Sequence, residues 1–453
     1  MSYRAAIRYL DSLVNYEKLS RYPYPQALNL SRFRRFLDSI DNPQNGLKCI
    51  HVAGTKGKGS TAAFLTYILR EAGFRVGLFT SPHLTDFRER IRVLEPGAPR
   101  RRRRVDFEGM IPESGLTRLV NKLKPAMERY NRVSKFGPLT FFEAFTAVSF
   151  AYFKEKKTDI AVLETGLGGR LDSTNVVNPL VSVITPISYE HTDKLGRTLK
   201  KIASEKAGII KKGAWVVSAP QKKEALGVIR DKCKKERARL LAAGKEIKYG
   251  GSEEDFSVTT PYDRYGHLKT RLIGPHQVMN AASAVAAVNA LREYGINVSV
   301  AAIKKGLYNT LWPGRCEVAG KRPLVVLDGA QNVASAAVLK KAIREKFRFR
   351  RLILVLGVSN DKDIKGIAAG LSGLAAAVIL TRANTPRASE PSRLKEYFTG
   401  KDTYVTLSVQ EAKELGFNLA GKEDLILVTG SLYVVGEWRA IASGEKNDKS
   451  RDG

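Results

Sequence analysis

The chain is poor in the residues that build cross-linked or metal-clamped scaffolds. Among 453 residues there are three cysteines, Cys49, Cys233 and Cys316, and five histidines. The cysteines show neither a pairing pattern nor a metal-ligand spacing, which argues against a disulfide framework and fits a reducing compartment. Long apolar runs are missing too. No stretch approaches the roughly 18 residues that a membrane-spanning helix needs, and the opening residues, 1–8, lack the apolar core of a signal peptide. A soluble, cytoplasmic protein with no membrane partner is expected. Acid is the third scarcity: 45 Asp and Glu stand against 76 Lys and Arg, a formal net charge of +31. Such a balance suits anionic partners. No helix-turn-helix signature, zinc pair or aromatic RNA-binding motif accompanies the charge, so nucleotides or polycarboxylates are favoured over nucleic acid. Much of the excess sits at Arg100 to Arg104, which reads as a solvated loop. More lies in 222–239, which reads as an exposed helix face with Leu226, Ile229 and Cys233 turned the other way.

What is present is a regular alternation. The length exceeds what one core fills, so two or three domains are expected. Short β-rich runs recur at 49–53, 159–164, 181–185, 215–219, 324–328, 352–357, 375–381 and 424–429. Amphipathic helical stretches lie between them, as at 141–154, 199–210, 277–293 and 333–346. This pattern predicts an α/β fold with a mostly parallel sheet wrapped by helices. Residues 95–115 read as an irregular loop. The punctuated run Leu311-Trp-Pro-Gly-Arg315 interrupts the series, which restarts at Leu324. The expected division is a large domain over 1–311, a linker at 312–316, a smaller α/β domain over 317–443 and a polar tail over 444–453.

The densest chemistry lies in His51-Val-Ala-Gly-Thr-Lys-Gly-Lys-Gly-Ser60. An apolar β-branched lead-in meets Gly54, Gly57 and Gly59 around Lys58, and a helical pattern follows. Strand, glycine loop and helix together make a phosphate cradle of backbone N–H groups, helix dipole and a mobile ammonium. The strict Walker spacing is not met, since Gly59 separates Lys58 from Ser60. A plain glycine turn is the alternative. Other candidates also follow strands, where open parallel sheets place ligands. Glu164 ends one strand before a glycine loop and suits a hard cation such as Mg²⁺. His191 and Ser81 follow two more, although each could be an ordinary polar residue of a turn. Lys206 sits among small and apolar neighbours, and Glu205-Lys206 there suggests a buried, paired charge.

These pieces resemble the folylpolyglutamate synthase / dihydrofolate synthase family of the Mur ligase superfamily. The similar stretches are Gly54 to Ser60, Leu78-Phe-Thr-Ser-Pro-His-Leu84, Glu89-Arg-Ile91, Thr140-Phe-Phe-Glu143, Glu164 through Val176 and Glu205-Lys-Ala-Gly-Ile-Ile210. They continue with Pro275-His-Gln-Val-Met-Asn280, Trp312-Pro-Gly-Arg315, Asp328-Gly-Ala330 and Val428-Thr-Gly-Ser-Leu-Tyr433. They occur in family order from about residue 20 to 440. The resemblance implies a P-loop-like Mur ligase ATP-binding domain, a smaller Rossmann-like C-terminal domain and an ATP-dependent amide ligase acting through an acyl phosphate. It implies ATP contacts from Gly57, Lys58, Gly59, Ser60, Asn280, Arg315 and Asp328. Mg²⁺ ligands would be Ser81, Glu164 and His191, with a monovalent cation as a further candidate. The pterin site would be bordered by Thr140, Phe141, Phe142, Glu143, Leu171, Asp172 and Ser173. Lys58, His191 and Lys206 are the catalytic candidates. Lys206 matches a position that is commonly carbamylated, with an unmodified lysine facing phosphate as the alternative. The implied partners are ATP, L-glutamate and dihydropteroate or a reduced folate. The expected state is a monomer whose two domains close over the nucleotide.

The chain departs from the family pattern at several points. Lys56 stands where asparagine is usual, Glu190 replaces the aspartate before His191, and Gln331 replaces a histidine. Tyr22-Pro-Tyr-Pro25 occupies the place of His-Pro-Lys, and the Arg100 to Arg104 run is additional. A Mur enzyme acting on a UDP-linked acid would share fold and chemistry, but such enzymes normally carry a threonine directly after the loop lysine. A nonenzymatic nucleic-acid-binding protein is suggested only by the charge.

Overall fold

A computed structural model of the chain describes residues 1–19, 22, 24–97 and 107–443. The Arg100 to Arg104 run, Pro23 and the segment from Gly444 lie outside the described residues. The chain divides into two compact units. The first comprises Met1–His83, Phe87–Arg271 and His276–Leu311, and the second Leu84–Asp86, Leu272–Pro275 and Trp312–Gly453.

Unit 1 is built on seven strands: β1 (Cys49–Ala53), β2 (Val76–Phe79), β3 (Ile91–Leu94), β4 (Ile160–Glu164), β5 (Val181–Ile184), β6 (Trp215–Ser218) and β7 (Arg239–Ala242). Their order is β3-β2-β4-β1-β5-β6-β7, parallel throughout except for the antiparallel edge β3. Central strands β1, β4 and β5 are buried at every position, which is why they read as continuous apolar runs rather than alternating ones. The chain leaves β1 toward β2, inserts β4 between them and then places β5 on the other flank of β1. The direction of winding therefore reverses at β1, and the carboxyl ends of β2, β4, β1 and β5 open on one side as a crevice.

Two apolar clusters belong to unit 1. In one, Phe141, Phe145 and Phe150 meet Leu116, Leu119 and Val120 of the helix Glu113–Val133. That helix corrects the expectation of an irregular loop to residue 115, because Pro112 directs the chain into the helix at Glu113. In the other, Ile202, Ala203 and Ile209 pack with Ile184, Ile229 and Cys233. The helix Lys58–Glu71 is buried from Ser60 to Arg70. It packs against the helix Val300–Asn309 at Gly306, where a Cβ would lie 2.4 Å from Ile68 Cα.

The sequence pattern gave no sign of the antiparallel sheet β8 (Lys248–Ser252), β9 (Asp255–Thr259) and β10 (Arg264–Leu268). Strand β8 is exposed at all five positions, so no apolar alternation marks it. Unit 2 carries β11 (Glu317–Lys321), β12 (Leu324–Leu327), β13 (Leu352–Leu356), β14 (Ala377–Leu380), β15 (Asp402–Val405) and β16 (Leu425–Thr429), in the order β11-β12-β16-β13-β14-β15. Only β11 is antiparallel to its neighbour. No helix among the described residues is long and apolar enough to cross a membrane.

Candidate functional site

The crevice of unit 1 gathers most of the residues singled out in the sequence. Strand β1 runs into the glycine loop, β2 into Ser81, β4 ends on Glu164, and β5 leads toward His191. Register explains the proximity: Val52 is opposite Glu164, and Ala53 opposite Ile184.

The loop is shaped by two positions that reject a side chain. Gly54 has φ 151°, and a Cβ there would meet Thr185 Oγ1 at 1.8 Å. Gly57 has φ 83°, and its Cβ would meet Asn280 Oδ1 at 2.3 Å. Asn280 belongs to the buried helix Pro275–Ala290, and its Nδ2 donates to Gln277 Oε1 at 3.0 Å. Gly57 caps the helix Lys58–Glu71 without any side-chain cap bond. Among the described residues, Thr61 Oγ1 and Asn280 Oδ1 are buried without a hydrogen-bond partner. A loop with positive-φ glycines, a helix start and an orphaned amide oxygen is suited to polar ligand atoms.

Two lysines converge on one carbonyl. Lys58 Nζ donates to Gly54 O at 3.3 Å and Lys206 Nζ to the same atom at 2.8 Å. Lys206 is buried, and burial, reinforced by the Lys58 and Lys56 charges against an opposing Glu190, pushes its ammonium down to about 7. The Glu205–Lys206 pairing suggested by the sequence does not form. Adjacent helical residues point in different directions, and Glu205 turns instead to Arg170, at 2.8 Å, and to the Tyr24 hydroxyl, at 3.1 Å.

Glu164 is buried, and Ser81 N donates to its Oε2 at 3.4 Å. His191 has φ 51° and starts the short helix Thr192–Leu195. No group of three or more His, Cys, Asp or Glu side chains that could hold a metal occurs among the described residues. The donor set at Ser81 and Glu164 is hard oxygen and incomplete. It fits Mg²⁺, which keeps waters and takes phosphate oxygens beside one or two carboxylates.

The candidate pterin border is divided in its chemistry. Thr140 and Glu143 form a capping box on the helix Phe141–Glu155, and Glu143 is further held by Arg32 Nε at 3.0 Å. Their polar atoms are thus committed within the protein. Phe141 packs in the core with Phe145 and Phe87. Phe142 is half-buried, and its ring abuts Gly166, where a Cβ would come within 2.6 Å. Asp172 is buried, accepting from Leu167 N at 2.9 Å and from Thr174 N at 3.0 Å, and burial holds its carboxyl above the ordinary range. Ser173 Oγ shares a hydrogen bond with Thr146 Oγ1 at 2.7 Å, and Leu171 is half-buried. Sequence reasoning missed His51, whose Nε2 lies 2.8 Å from Thr174 Oγ1 and whose imidazole is kept neutral by burial, down to about 3. It gave no role to Tyr24 or Gln277 either. All three lie in stretches quoted above, but nothing in those stretches assigns them their partners.

In unit 2, Asp328 follows β12 and accepts from Cys316 N and Ala330 N, both at 2.8 Å. Burial pushes its carboxyl up against the counteracting Arg315 charge. Arg315 Nη1 donates to Gly314 O at 3.0 Å. Gln331, at the site of a family histidine, donates its backbone N–H to Ser335 Oγ at 3.1 Å.

Comparison with known proteins identifies the family. Residues 139–288 match the Mur ligase middle domain and residues 314–432 the Mur ligase glutamate ligase domain. A Bacillus subtilis protein named dihydrofolate synthase/folylpolyglutamate synthase is 36% identical, covering 90% of this chain and 94% of its own. The Mycobacterium tuberculosis folylpolyglutamate synthase solved with ADP and AMPPCP is similar with TM-score 0.84 at 28% identity, covering 97% of this chain and 99% of that one. Escherichia coli FolC in complex with DHPP and ADP is similar with TM-score 0.82 at 29% identity, covering 98% of this chain and 99% of that one. With its crevice, its loop and both ligase domains in place, the chain is an ATP-dependent ligase that belongs to the folylpolyglutamate synthase / dihydrofolate synthase family of Mur ligases.

Proposed function

We propose that the protein joins the amino group of L-glutamate to a carboxylate of dihydropteroate or a reduced folate, using ATP to make that carboxylate an acyl phosphate. The observation that carries this reading is the convergence of the glycine loop, Glu164, Ser81 and Lys206 at the carboxyl ends of four parallel strands. A carboxylate is a poor electrophile until one of its oxygens becomes a leaving group. Phosphoryl transfer to it depends on positioning and on cations that offset accumulating charge. Gly57, Lys58, Gly59 and Ser60 hold the phosphates, and Asn280 offers its free Oδ1 beside them. Ser81, Glu164 and His191 are the residues that would hold Mg²⁺. When bound, the ion would offset the negative charge that accumulates during phosphoryl transfer.

Lys206 contributes a different chemistry. An amine held down to about 7 has an available lone pair near neutrality. Once the ammonium has given up its proton, the neutral amine can add to carbon dioxide with loss of a second proton. Two protons leave in all, and a buried cation becomes an anionic carbamate beside Lys58. The Phe142 ring and Leu171 supply apolar surface for a pterin. Three buried cysteines outside any disulfide support a reducing, cytoplasmic setting. The reading is tested by mass spectrometry of products from ATP, glutamate and either dihydropteroate or tetrahydrofolate. Formation of the glutamyl amide, with ADP release that requires both co-substrates, supports it. ADP release independent of either one overturns it.

A further inference from the structure

Two departures from the family pattern meet in space. Lys56 and Glu190 are 134 residues apart in the chain, and Lys56 Nζ donates to Glu190 Oε1 at 2.8 Å. The contact ends a continuous seam between the glycine loop and the segment after β5. Along it Thr55 N and Lys56 N both donate to Pro186 O, at 3.0 and 3.2 Å. Thr55 Oγ1 donates to Ser188 O at 3.2 Å and accepts from Ser188 N at 3.1 Å.

The ion pair lies where two functional branches leave this seam. The residues after Lys56 are Gly57 and Lys58, and the residue after Glu190 is His191. Neither side chain is freely solvated: they are 29% and 15% exposed. Glu190 also acts electrostatically on a wider group. Lys56, His191 and Lys58 stabilise its carboxylate, and its charge acts in turn on Lys206. Without that carboxylate, three lysines crowd the loop around Gly54 with less to offset their repulsion. An exposed pair contributes little, whereas a largely enclosed pair couples its two side chains more strongly.

We infer that Lys56 and Glu190 are a positioning pair that locks the phosphate loop to the His191 turn, so that Lys58 and His191 are presented to the same phosphate–metal unit. The inference rests on the proposed nucleotide site. Neither residue touches substrate in this role; each acts through its chain neighbour. A lysine at 56 needs a counter-charge, and glutamate reaches one methylene further than aspartate.

The test uses the full-length protein and four variants, Lys56→Met, Glu190→Gln, their double and Glu190→Asp, with Lys58→Ala as comparator. Steady-state KM for ATP, kcat, half-saturating Mg²⁺ and melting temperature are measured for each. Each single exchange should raise KM for ATP and the Mg²⁺ requirement about 5–10-fold while kcat stays within about threefold, and the double should be no worse than the worse single. Glu190→Asp should behave as a broken pair, because the shortened carboxylate cannot keep the contact. Multiplying effects in the double, no effect in either single, or losses that simply follow melting temperature would overturn the inference. If Lys58→Ala also keeps wild-type ATP dependence, the reading of the loop as the phosphate site fails as well. If Lys58→Ala collapses activity while the pair variants act independently, only the positioning role is lost.

Discussion

Replacing Lys206 with methionine should leave a signature in the pH dependence of stability that no neutral core substitution would give. Methionine keeps length and apolar bulk but cannot carry charge. In the wild type the folded ammonium has its pKa lowered from 10.5 to about 7, mainly by burial. The folded state therefore declines a proton that the unfolded chain holds, and stability rises with pH between about 7 and 10.5. Below about 7 both states are protonated and the burden is constant, at about 5 kcal/mol for a shift of this size. Between about pH 6.5 and 9 the wild type should gain about 2.5 kcal/mol relative to Lys206→Met. The methionine also forfeits the bond to Gly54 O, and any difference in its strength between ammonium and amine is already contained in the pKa shift, so the expected slope stands. Urea unfolding of both proteins across this range, in buffers freed of carbon dioxide to keep the amine unmodified, measures the difference. A flat difference would refute the reasoning, since it would mean that Lys206 titrates near its unfolded value.

Three further outcomes are expected. Gly57→Ala should destabilise by about 2–4 kcal/mol, from left-handed strain and from forcing Asn280 off Gln277, and should raise KM for ATP; a wild-type denaturation midpoint would contradict it. Glu164→Gln should weaken Mg²⁺ affinity and activity together, because a charged hard ligand becomes neutral; metal titration of the activity reads both, and a fall in activity with an unchanged metal requirement would argue against ligation. Arg32→Met should cost about 3–5 kcal/mol by leaving Glu143 buried and unpaired, and Glu143→Gln in the same background should recover part of it in thermal melts.

The fold was legible where burial is total on both faces. Runs such as 160–163, 352–356 and 425–428 contain no polar residue, and that is how a central parallel strand presents itself. Strands β8, β11 and β15 are exposed, charged or glycine-bearing, so their residues carry no comparable pattern. The glycine loop was legible because Gly54 and Gly57 answer a local backbone demand. Contacts over long sequence separation were not. Nothing near Lys56 announces Glu190 and nothing near Arg32 announces Glu143, whereas the Thr140-x-x-Glu143 spacing is itself the signature of the helix cap that forms there. Lys206 shows both sides: its burial was suggested by apolar neighbours, but its true partner, the Gly54 carbonyl, is 152 residues away.

The seating of Gly306 against Ile68 bears on how the protein comes into being. The helix that springs from the phosphate loop is synthesised early, yet the helix that covers it at Gly306 emerges more than two hundred residues later. The ion pair from Lys305 to Glu71 and the bond from Asn309 to Glu71 arrive only then. At about 5–20 residues per second, the growing chain carries this helix without its roof for about 10–50 s. Through that interval a helix meant to be buried on every side is missing one wall. A chain that stops just before Val300 lacks that wall, so such a fragment is expected to aggregate rather than persist as a smaller nucleotide-binding domain.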